Sequence, residues 1–239
     1  MNLGHVLCAA LLTPVVAGCT STAVLPPTLP TKTCFQEMHC GPSREERFYL
    51  LVFTSQFTPN LPRHTHTWAT VVRVMERDSN RPPQIETHTI SWFPASLRIR
   101  PWDLFVESGM NLDLRRTIQE MRAQGNRVSL WGPYQVEPDF YRHFLAQKAF
   151  LESGKVGYQA LDAVGEAGIM GNGTNCIHAL VDCDARCGCP MWTIGDASGE
   201  YIAKHLVENG AVIKPERSYD WLIPVLGLSD YPIVRRGRP

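Results

Sequence analysis

The chain has 239 residues, 44% hydrophobic and 19% charged, with lysine plus arginine equal to aspartate plus glutamate at 23 each. That balance gives no net field toward a polyanion, so nucleic acid is not an expected partner. The length is sufficient for one sizeable hydrophobic core.

Val6 to Ala17 is almost wholly apolar, a run of about 12 residues that falls short of the roughly 20 needed to span a bilayer. It is expected to be a signal h-region. It ends in Val16-Ala17-Gly18-Cys19, which resembles a bacterial lipobox. That resemblance implies removal of residues 1–18, a lipid on Cys19 and a membrane as partner through that lipid, in the cell envelope. A plain secretory signal cut nearby is the other reading. Residues 19–45, with Thr20 to Thr33 rich in threonine and proline, are expected to be an extended tether. Export places the thiols in an oxidising compartment, where cysteines tend to pair. Cys34 and Cys40 are one expected disulfide. Of Cys183, Cys187 and Cys189 only two can bond each other, which leaves one thiol of that cluster together with Cys176.

Residues 46–239 are expected to form a single α+β domain with an antiparallel sheet packed against helices. Arg47 to Gln56 has the aromatic and β-branched content of a strand. Thr65 to Met75 alternates, with His66, Trp68, Thr70, Val72 and Val74 on one face. Asp78 to Pro83 is a turn by composition, and Thr87 to Phe93 returns with His88, Ile90 and Trp92 on one face. Asn111 is the expected cap of a helix carrying Leu114, Ile118 and Met121 and closed by Gly125. After a strand at Arg127 to Trp131, the segment Trp131-Gly132-Pro133-Tyr134 is a corner or a substrate wall. Pro138 opens a helix carrying Phe140, Phe144 and Leu151 and stopped at Gly154. Lys155 to Leu161 is strand-like, a glycine-rich stretch runs from Gly165 to Gly173, and a last helix spans Ser198 to Asn209. The tail residues Arg235, Arg236 and Arg238 are expected to be a solvated, frayed end.

The segment Thr174 to Leu180 has the form of a short helix with Thr174 or Asn175 as cap and Cys176 in its first turn. Peptide dipoles and unbonded N–H groups there would lower a thiol's pKa and could receive an oxyanion, the two needs of a cysteine nucleophile. His178, two positions on, points about 200° away from Cys176. His66 is the better base, since its same-face neighbours Trp68, Val72 and Val74 are apolar and should face the packed helices. The plainer alternative is that Cys176 is a small core residue and His66 a partly buried histidine. A third reading has His64 and His66, at i and i+2, holding zinc or copper; no cofactor is expected otherwise.

Asn175-Cys176-Ile177-His178 resembles the Asn-Cys-Glu-His segment of lecithin:retinol acyltransferase-like proteins, in the circularly permuted NlpC-type branch of papain-like enzymes. In that branch the histidine strand precedes the cysteine helix, and His66 lies about 110 residues before Cys176. Tyr158 is similar to the family's tyrosine upstream of the cysteine. The resemblance implies a papain-like fold and a cysteine hydrolase or acyltransferase working through a Cys176 thioester, on a peptidoglycan peptide or a lipid or acyl substrate. It also implies a third catalytic residue on the strand after His66, where His88 is the candidate. With a turn near residue 81, however, His88 would oppose Val74, about 26 Å along the ladder from the position facing His66. A catalytically inactive lipoprotein with a binding or structural role is the alternative outcome.

Overall fold

The computed structural model describes residues 46–76, 82–103, 105–161, 172–184 and 193–237. The signal, Cys19, the tether, Cys34, Cys40, Cys187, Cys189 and most of the turn and glycine stretch lie outside them. In chain order the strands are β1 (Glu46–Gln56), β2 (His66–Met75), β3 (Gln84–Ile90), β4 (Trp92–Pro94), β5 (Gly109–Asn111), β6 (Arg127–Val136), β7 (Gly157–Tyr158), β8 (Gly173–Thr174), β9 (Val212–Ile213) and β10 (Ile233–Arg235). The helices are α1 (Leu114–Ala123), α2 (Pro138–Leu151), α3 (His178–Val181), α4 (Asp196–Glu208) and α5 (Leu222–Val225). No described helix is long and apolar enough to cross a membrane.

The fold is α+β around a mixed sheet in the order β10-β6-β1-β2-β3, with β9 also paired to β6. β10 runs parallel to β6, so the sheet is not the all-antiparallel one expected. The central strand β1 explains its own composition. Phe48, Leu50 and Val52 point into one apolar cluster and Tyr49, Leu51 and Phe53 into another, so the strand is apolar at nearly every position rather than at alternate ones. The first cluster is covered by α2, α3 and α4 through Phe140, Phe144, Leu180, Ile202 and Leu206. The second is covered by α1 and α5 through Ile118, Met121 and Leu222. β2 divides the same way, Ala69 and Val71 facing the first cluster, Trp68, Val72 and Val74 the second.

Several local expectations are corrected by what their side chains do. Asp113, not Asn111, caps α1, its carboxylate accepting from the Arg116 amide at 2.8 Å. Asn111 instead sits in β5 and accepts from the Ser91 amide at 3.0 Å. The Trp131–Tyr134 segment is neither a corner nor an exposed wall. It lies inside β6, where a register shift opposite Leu50 and Val52 takes up Gly132 and Pro133, and both aromatics are buried in the first cluster. Gly132 has φ +86, and a Cβ there would lie 2.8 Å from the Leu50 carbonyl oxygen, so the bulge requires glycine. Arg235 and Arg236 are not frayed, while Arg238 lies outside the described residues. Arg235 donates to the Gly132 carbonyl at 2.7 Å and to Asp220 at 2.6 Å, and Arg236 pairs with Asp196.

Candidate functional site

His66 opens β2 with its ring on the Trp68 face and only 1% exposed. Its Nε2 is 3.0 Å from Ser91 Oγ, and Thr117 Oγ1 lies 3.0 Å from that same hydroxyl and 2.8 Å from the Asp113 carbonyl oxygen. The ring stacks on Phe93 with centroids 3.6 Å apart and on Trp68 at 5.6 Å. Its Nδ1 has no hydrogen-bond partner among the described residues. Burial pushes the imidazole down to about 3, so it is neutral at neutral pH and a weak proton acceptor.

The ladder between β2 and β3 pairs Val71 with His88, three positions from the expected Val74. Opposed residues point to the same side, so His88 shares the Val71 face while His66 shares the Trp68 face. The expectation that His88 orients His66 is therefore corrected: the sheet separates them. His88 Nε2 lies 2.8 Å from Glu86, and its ring meets Tyr141 of α2 edge-on at 6.2 Å.

Cys176 is 8% exposed and stands two residues ahead of α3. Ala179, Leu180 and Val181 of that helix pack in the first cluster, on the face of β2 opposite to His66. The bonds made by His66 go to Ser91 and its stacking to Phe93 and Trp68, none of it to Cys176. The expected nucleophile and base are thus not brought together. The oxyanion expectation changes as well. Asn175 Oδ1 accepts from the Ile177 amide at 2.8 Å and the His178 amide at 2.9 Å, which occupies the two donors next after Cys176. α3 is a single turn of four residues, too short for a sizeable macrodipole.

The tyrosine expectation fares differently. The parallel pair β7–β8 sets Tyr158 opposite Thr174, two residues before Cys176, and the Tyr158 ring is buried in the cluster that α3 covers. Asn175 Nδ2 also reaches back to the Ala160 carbonyl at 3.5 Å. Tyr158, Asn175 and Cys176 are neighbours, without His66 or His88 bonded to them. Among the described residues no disulfide joins Cys176 to Cys183, whose Sγ donates to the Ala179 carbonyl at 3.8 Å.

The paired-imidazole metal reading is not assembled either. His64 ends a 3-10 turn, Pro62–His64, before the strand begins, and its Nε2 accepts from Arg63 Nε at 2.9 Å, while His66 is engaged with Ser91. Among the described residues no group of three His, Cys, Asp or Glu side chains could hold a metal ion.

A different feature escaped the sequence reading. An open cleft of about 540 Å³ lies between the 3-10 turn, the segment after β4 and the end of α1. Phe93, Leu97, Ile99 and Met121 give it apolar walls, and Arg63, His64 and Arg98 line it together with Glu120. Its sequence signal was the run Arg98-Ile99-Arg100-Pro101-Trp102, where cations and apolar groups alternate outside any regular element. No family model, curated protein or solved structure matches the chain.

Proposed function

We propose that the chain is an exported protein, held in the bacterial cell envelope by a lipid on Cys19, whose folded domain works by binding rather than by bond cleavage. The observation that carries this reading is the state of His66. Its Nε2 is bonded to Ser91, its ring is packed between Phe93 and Trp68, and it lies across the sheet from the segment that bears Cys176. A base so enclosed cannot take a proton from a thiol on the other face without unpacking the second core. The short apolar run and Val16-Ala17-Gly18-Cys19 support the anchor, and the Thr/Pro-rich segment supports a tether.

A second reading keeps the papain-like, Cys176-based acyl transfer. The observation in its favour is that His88 shares the sheet face covered by α3, so the base would be His88 and not His66. One experiment separates the two: exposure of the reduced protein to an activated acyl ester, with intact-mass detection. The binding reading expects no acyl adduct that depends on Cys176. A thioester present in the parent, absent from Cys176→Ala and slowed in His88→Gln would replace it with the second reading.

A further inference from the structure

The sheet ends on one side at β3, whose strand neighbour among the described residues is β2 alone. β3 pairs with β2 over all seven of its residues, Gln84–Ile90, without a register shift. In an antiparallel ladder alternate residues turn their N–H and C=O groups away from the partner strand. Among the described residues, the backbone of residues 85–89 makes no hydrogen bond outside the β2 ladder. Sheets commonly shield such an edge with lysine, proline, a bulge or shortness. The other end of this sheet is shielded by shortness, since β10 has three residues. β3 uses none of the four within its span, and Pro82 and Pro83, just before it, lack the N–H groups that would extend a ladder.

The strand reads Gln84-Ile85-Glu86-Thr87-His88-Thr89-Ile90, a sequence that complements itself about Thr87. When two copies pair antiparallel around a two-fold axis normal to the sheet at that residue, Thr87 opposes its own counterpart. Glu86 then opposes His88 of the second copy, and Ile85 opposes Thr89. These are a hydroxyl with a hydroxyl, a carboxylate with an imidazole and two β-branched side chains, each a favourable cross-strand pair. Neighbouring centres lose this match. About Glu86 two carboxylates meet, and about His88 two imidazoles meet while Glu86 faces Ile90. Within one copy His88 Nε2 lies 2.8 Å from Glu86 Oε1, so the same donor and acceptor have only to be exchanged between copies. The other carboxylate oxygen of Glu86 keeps its pairing with Arg73. Gln84 and Thr87 are exposed and Ile85, Glu86 and His88 partly so, which leaves the edge open to a partner.

We infer that β3 is a homodimer interface: a second copy of this chain pairs antiparallel along it, centred on Thr87, and the two sheets become one. Such an interface uses the same patch on both copies and closes at two, so it does not propagate into a fibre. A seven-residue edge buries less than the roughly 1,200–2,000 Å² of a standard interface, so association is weak and depends on concentration. The pairing is independent of what the domain binds and of whether Cys176 reacts.

The test uses the full chain carrying Cys19→Ser, so that no lipid drives association, followed by sedimentation velocity and amide exchange from about 10 μM to about 500 μM. The expected result is a monomer–dimer equilibrium in which exchange at residues 85–89 slows as concentration rises. His88→Glu sets a carboxylate opposite Glu86 in each copy and should weaken the dimer at least about tenfold. Adding Glu86→Lys to it reverses the pair and should return affinity to within about threefold of the parent. Thr87→Cys should give, under mild oxidation, a covalent dimer whose peptide map joins the two substituted positions, because those side chains oppose each other across the axis. Gln84→Cys, which opposes Ile90, should not. Near-ultraviolet circular dichroism of each variant checks that the fold is kept. A monomer at every concentration, a dimer indifferent to His88→Glu, no rescue in the double variant, or cross-linking at position 84 rather than 87 would each overturn the inference. Protection of residues 85–89 that does not change with concentration would assign the edge to a segment of the same chain and overturn it as well.

Discussion

The imidazole of His66 and the ring of Phe93 lie stacked with their centroids 3.6 Å apart, and this contact follows from the register of the β2–β3 ladder. With Val71 opposite His88, the position facing His66 falls beyond β3 near Phe93, so an aromatic ring occupies the place where a polar orienting group was expected. Ser91, two residues earlier, supplies the one hydrogen bond.

That enclosure makes stability depend on acid. The folded-state pKa of His66, about 3, is below the ordinary value of 6.5, so the unfolded chain binds the proton more readily between those limits. Stability should therefore be fully present above pH 6.5 and fall as pH drops toward 3, with a limiting contribution on the order of 5 kcal/mol. Urea midpoints measured from pH 7 to pH 4 should decline more steeply for the parent than for His66→Phe, which cannot take up that proton. Parallel profiles would show that the histidine is not buried in the neutral form.

The Ser91 hydroxyl joins His66 to Thr117 and so links β2 to α1. Ser91→Ala removes the partner of Nε2 in a ring whose Nδ1 already has none, leaving the imidazole with no hydrogen bond. A loss of about 1–3 kcal/mol is expected in denaturant unfolding, and much less in a His66→Phe background, where the ring nitrogen is gone. Equal losses in both backgrounds would mean that the bond contributes nothing.

These two residues also show where the sequence was legible and where it was not. The alternation in β2 is recorded in the residues themselves, and the structure reproduces the face assigned to each of its apolar side chains. What alternation cannot supply is the pairing between strands. An offset of three positions is odd, and because side chains alternate with a period of two, it moved His88 to the other side of the sheet from His66. A short helix was legible near Asn175, but α3 starts at His178 with Ile177 as its cap, which leaves Cys176 outside the first turn, and the Asn175 side chain takes up two of the amides that an oxyanion would have used. Arg235 and Arg236 of the tail were not legible, because they find their partners only in three dimensions, at Gly132, Asp220 and Asp196.

Gly109 of β5 lies directly beneath the Trp92 indole, and a Cβ there would come within 1.9 Å of the ring. The indole has little freedom to yield, because it is buried and its Nε1 donates to the Gly157 carbonyl at 3.3 Å. Gly109→Ala should destabilise by about 1–3 kcal/mol in thermal or urea unfolding. Trp92→Leu in the same chain should recover part of that loss, since the clash is with the ring. A double variant whose destabilisation is the plain sum of the two would place the problem in the backbone instead.

Asp196 is the point at which the C-terminal strand β10 is fastened. It is the first residue of α4, where a negative charge is favoured by the exposed amides of the helix start. Its carboxylate accepts from Thr54 of β1 at 2.9 Å and pairs with Arg127 of β6 at 2.5 Å and with Arg236. Arg236 follows β10 directly, and its amide donates to the Leu130 carbonyl at 2.9 Å, so one carboxylate connects α4, the sheet and the C-terminal segment. Asp196→Asn keeps the shape and removes the charge from a part-buried site that holds two guanidinium groups. It should cost about 1–3 kcal/mol. The loss should also be local: amide exchange at residues 233–236 should accelerate more than at β1, because β10 is a three-residue strand at the edge of the sheet. Arg236→Gln should reproduce the fast exchange, and the two substitutions together should add little to either alone. Exchange that rises uniformly across the sheet would instead make Asp196 a determinant of global stability, with no special part in holding β10.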